Sequence, residues 1–106
     1  MQIEDIPMVR LTWLDAQDSD GSWTDIEDII AHEPAICQEI GWLVHRDSNK
    51  VIVMRSRIVT EDDTLKEGGG HIAIPTSWVL KIEELIFNEE INNTDSLYSY
   101  QSARTS

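Results

Sequence analysis

Val9, Leu11 and Trp13 alternate with Arg10, Thr12 and Leu14, the period-2 pattern of a strand with one face on a core, which predicts a strand over residues 8 to 15. The polar stretch Gln17 to Ser22 contains Gly21 and reads as a loop. Thr24-Asp25-Ile26-Glu27 matches the S/T-x-x-E capping box. Ile26, Ile29 and Ile30 then share a helical face before Pro34, predicting a short helix over about residues 25 to 32. Residues 36 to 46 and 50 to 59 read as two strands joined by the polar turn Asp47-Ser48-Asn49. Val51 to Met54 is apolar at every position, as a central strand would be. Residues 60 to 70 read as an acidic loop whose three glycines form a hinge. His71 to Ile74 is a further strand, Pro75-Thr76-Ser77 a tight turn, and Val79 to Phe87 a last strand, with a helix over its end as the alternative.

This order predicts a mainly β fold with one short α-helix: a small bent antiparallel sheet or an SH3-like or Sm-like partly open barrel. One globular domain covers residues 1–87. Residues 88–106, rich in Asn, Ser and Thr, are expected to be a flexible tail. An incomplete sheet tends to pair with a copy of itself, so a homo-oligomer is expected. The length of 106 residues fits a single core, and no apolar run reaches the roughly 18 residues of a membrane span. The acidic start MQIEDIPM is unlike a secretory signal, and a single Cys37 suits a reducing compartment, so a cytoplasmic location is expected.

Twenty Asp and Glu face eight Lys and Arg, a formal net charge of -12. The charge is uneven. Residues 1 to 33 hold nine acids and one base, whereas residues 34 to 60 hold two acids and four bases. A mildly basic middle inside so acidic a chain excludes long nucleic acid as a ligand, because the remainder of the molecule would repel it.

The candidate chemistry is sparse. His32, His45 and His71 form no H-x-x-x-H or H-x-E pair, and one cysteine cannot build a zinc site. Asp15, Asp18, Asp20 and Gly21 give only part of a calcium loop. Gly68-Gly69-Gly70 has neither the Lys-Ser/Thr of a P-loop nor the glycine spacing of a dinucleotide-binding turn. No catalytic residue, metal or cofactor is expected. Arg55 and Arg57, two apart in a strand, are expected on one face, where guanidinium forks hold phosphate; with Arg46 and an exposed Trp23 they make a candidate site for a small anion. The rival surface is acidic: Asp18, Asp20, Asp25, Glu27 and Asp28.

Trp13-Leu14-Asp15, Gly21-Ser22-Trp23, Cys37 ahead of Gly41-Trp42-Leu43-Val44, Val51-Ile52-Val53 with Ser56, and Ile74-Pro75 with Ile82 together resemble a group of small phage-encoded proteins of obscure function, over residues 9 to 85. The resemblance implies an accessory, anti-defence factor working in the host cytoplasm. It admits two non-enzymatic roles. In one, a homo-oligomer sequesters a small nucleotide-derived immune signal in its pockets. In the other, an acidic protein mimics nucleic acid and blocks a basic surface of a host defence protein.

Overall fold

The computed structural model describes residues 1–87; the expected tail lies outside the described residues. Five antiparallel strands form one open sheet in the order β4-β3-β2-β1-β5. They are β1 (Met8–Asp15), β2 (Ala35–Arg46), β3 (Lys50–Val59), β4 (Leu65–Pro75) and β5 (Val79–Glu84); a short helix α1 (Ile26–Ile30) lies between β1 and β2. Of the two expected forms, the bent open sheet is the one the ladders draw. β4 and β5 are its edges, linked through a 3-10 turn at Thr76–Trp78.

β2 organises the sheet because it serves two neighbours in succession. Its first part pairs with β1, from Asp15↔Ala35 to Met8↔Trp42, and its last part pairs with β3, from Trp42↔Met54 to Arg46↔Val51. The strand must turn between these tasks. It does so at Gly41, where any Cβ would run into the carbonyl of Met54, so only glycine lets the two backbones approach this closely. A register shift between Leu43 and His45 adds further bend.

The curl gathers one face into a core of Val9, Leu11, Trp13, Val51, Val53 and Ile74, with Cys37, Leu43, Ile72, Val79 and Ile82 packed against it. The alternation read in β1 thus placed its inward side chains, and Val51 to Met54 lies in an interior strand. Residues 1–7, for which no element was expected, tie the sheet at the far end. Ile3 N–H donates to Asp63 O, Leu65 N–H to Met1 O and Leu43 N–H to Pro7 O, and Ile6 is buried.

Two local expectations are corrected and one open alternative is decided. The acidic loop is only residues 60 to 64, closed by Thr60 N–H donating to Thr64 O; the glycines expected as a hinge sit inside β4, held by pairing with β3, Gly68 opposite Arg57 and Gly69 opposite Ser56. The capping box does not form. The helix is shorter than 25 to 32, it starts after Asp25, and the Thr24 hydroxyl donates to Ser22 O. The last segment is the expected strand, ending at Glu84 rather than Phe87, since pairing with β1 supplies backbone partners that helix propensity cannot outweigh.

Candidate functional site

The residues expected to form one anion site are dispersed. Arg46 ends β2 beside the hairpin turn, and Trp23 is 103 % exposed on the segment between β1 and β2. Arg55 and Arg57 part company as well. Arg55 Nε lies 3.0 Å from Glu39 Oε1, while Arg57 Cζ lies 4.1 Å from the centre of the Trp42 ring. Glu39 and Trp42 are an odd number of positions apart in a regularly paired stretch of β2, so they stand on opposite faces. The single-face expectation for the two arginines fails for a physical reason. Long arginine stems reach to either side of the narrow strand, so the contacts each guanidinium finds, Glu39 for Arg55 and Trp42 for Arg57, decide where it ends rather than the spacing alone.

Arg57 is the more informative of the two. Its guanidinium stacks on Trp42, and its Nη1 is buried without a hydrogen-bond partner among the described residues. A buried donor left unmet is costly, and an anionic oxygen is its strongest acceptor. A cleft of about 290 Å³ borders it, lined by Ser56, Arg57, Ile58, Glu67, Gly68 and Gly69. The floor is shaped by glycine. A side chain at Gly68 would run into the sulfur of Met54, whereas Gly69 opens on free space. Sequence reasoning named Arg57 but missed its pairing with Trp42, because the contact crosses from β3 to β2 and has no signature in either segment.

The hairpin turn is closed by side-chain hydrogen bonds. Asp47 Oδ1 accepts from Asn49 N–H at 2.7 Å and Lys50 N–H at 2.9 Å, and Asp47 Oδ2 lies 2.6 Å from His45 Nε2. The His45 hydrogen bond, followed by the two backbone donors, draws the Asp47 carboxyl down to about 2. Thr76 Oγ1 donates to Asp47 O, fastening the turn to the link between β4 and β5. This constellation holds structure in place; Arg46 lies next to it with no ion pair among the described residues.

The acidic residues are brought together. Residues 16–34 leave the sheet at Asp15 and return at its partner Ala35, forming an arm in which every residue is exposed, Asp18, Asp20, Asp25, Glu27 and Asp28 included. Asp20 accepts from Ser22 Oγ and N–H, which lowers its carboxyl below the usual range. Among the described residues no three His, Cys, Asp or Glu side chains are placed to hold a metal ion, and no helix is long and apolar enough to cross a membrane. Cys37 is partly buried against the core. No protein-family model, curated protein or solved structure matches the chain.

Proposed function

We propose that this chain is a non-enzymatic binding protein that sequesters a small, anionic, nucleotide-derived ligand, as an anti-defence factor of phage type would, with Arg57 on the phosphate and an aromatic surface beside it. The observation that carries the reading is the Arg57 guanidinium stacked on Trp42 with one buried nitrogen unmet among the described residues. Arginine on an aromatic plane next to glycine backbone is chemistry suited to phosphate and base together. Arg46, Arg55 and Trp23 do not line this cleft, so within one chain the site consists of Arg57, Trp42 and the glycine backbone beside them.

Isothermal titration calorimetry with AMP, ADP-ribose and a cyclic dinucleotide tests the proposal. At least one should bind, and Arg57→Gln should weaken it tenfold or more, the loss of one charged hydrogen bond. Absence of heat with all three, or equal binding by a folded Arg57→Gln variant, would overturn it.

A second reading has its own support in the arm, where five exposed acids accompany exposed Trp23 and isoleucines. Such a surface suits the basic face of a host defence protein. Asp25→Lys with Asp28→Lys would then abolish inhibition of that protein while leaving nucleotide binding unchanged.

A further inference from the structure

Two apolar surfaces of this chain have nothing covering them among the described residues. On the arm, Trp23 is fully exposed, and Ile26, Ile29 and Ile30 of α1 are 68 %, 52 % and 77 % exposed. On the sheet, the face opposite the core presents Leu14 beside its ladder partner Ile36, and Ile40 beside Arg10, with Ile36 69 % and Ile40 54 % exposed. Trp78 adds its ring at the base of the arm, where a notch of about 330 Å³ is lined by Leu14, Asp15, Ala16, Pro34, Ser77 and Trp78. A helix of five residues has no stability of its own in water; packing of its apolar side has to supply it. Nothing among the described residues does so.

We infer that these two surfaces cover each other between two copies of the chain, the arm of each protomer lying across the outward face of β1 and β2 of the other. Three observations select a second copy as the occupant. The surfaces match in charge. The arm carries acids and no Lys or Arg, while the face holds Arg10 and Lys81 sharing the single carboxylate of Glu83. They match in extent: with about 150–250 Å² for a covered aromatic and less for each isoleucine or leucine, arm and face together offer on the order of 800 Å² per copy, what a stable dimer buries. They also match in placement. The arm departs at the Asp15–Ala35 pair, immediately beyond Leu14 and Ile36, so a two-fold axis near those residues carries each arm onto the partner's face and satisfies both surfaces twice.

The exchange stands independently of ligand binding, although the covered strip runs on through Ile40 towards Trp42 and the Arg57 cleft.

Sedimentation velocity of the full chain over a range of concentrations is the test, with Ile29→Asp on the arm and Ile40→Asp on the face as variants. Both positions are exposed in the single chain, so each variant should keep the wild-type circular dichroism spectrum. The wild type should sediment as a dimer, and each substitution should raise the dissociation constant at least tenfold. An equal mixture of the two variants should regain part of the association, because one of the two arm–face contacts in a mixed dimer is intact. A monomeric wild type at about 100 μM, well above the dissociation constant of an interface this size, or a dimer indifferent to either substitution, would overturn the exchange. Loss on the face alone, with Ile29→Asp still dimeric, would also overturn it and leave the arm free for the basic host protein.

Discussion

Trp13 and Trp23 both lie in the first quarter of the chain, yet one is 6 % exposed and the other 103 %. The same contrast separates two whole regions. In the curled sheet, Val9, Leu11, Val51 and Val53 are almost fully enclosed because β2 turns at Gly41 and folds two ladders around one face. In the arm, isoleucines at helical spacing enclose nothing. Side chains of equal hydrophobicity thus act as core in one region and as exposed contact surface in the other. The difference lies in which backbone places a second element opposite them.

The comparison breaks most severely at Leu11. Leu11→Ala should cost about 2–5 kcal/mol in urea unfolding, since the bent sheet cannot collapse onto the void. Gly41→Ala comes next, at about 1–3 kcal/mol, because a methyl group there pushes β2 off the Met54 carbonyl and opens the bend that makes the core. Ile29→Ala, measured at a concentration where the chain is monomeric, should change stability by less than about 0.5 kcal/mol; a larger loss would mean that the arm packs within its own chain.

The smallest effect is one of pH. Asp47 has a folded pKa of about 2 against an ordinary 3.8, so its contribution is present above the ordinary value and is lost as pH falls from about 4 through about 2. Denaturant midpoints of the wild type should fall across that window more than those of Asp47→Asn, and parallel acid profiles would show that the turn does not depend on this carboxylate.

How much of this was legible varies by element. β1 could be read because alternation is a local property, and it named the inward residues Val9, Leu11 and Trp13 directly. The turn at Asp47 was readable for the same reason, its donors being two and three residues away. The length of β4 was not, since three glycines in a row signal a loop until a partner strand binds their backbone. Nor was the candidate site. Arg55 and Arg57 looked like one face of a regular strand, and their different partners on β2, Glu39 and Trp42, separate them.

The amino-acid sequence by itself determined the element types, the inward face of β1, the acidic arm and the arginines worth attention, because each rests on spacing and charge within a few residues. Only the tertiary structure decided that β2 bends to serve two ladders, that Arg57 meets Trp42, and that no described residue covers the isoleucines of the arm. These depend on which distant backbones come within a few ångströms of one another, and hydrophobic pattern specifies that a side chain needs cover without specifying what provides it.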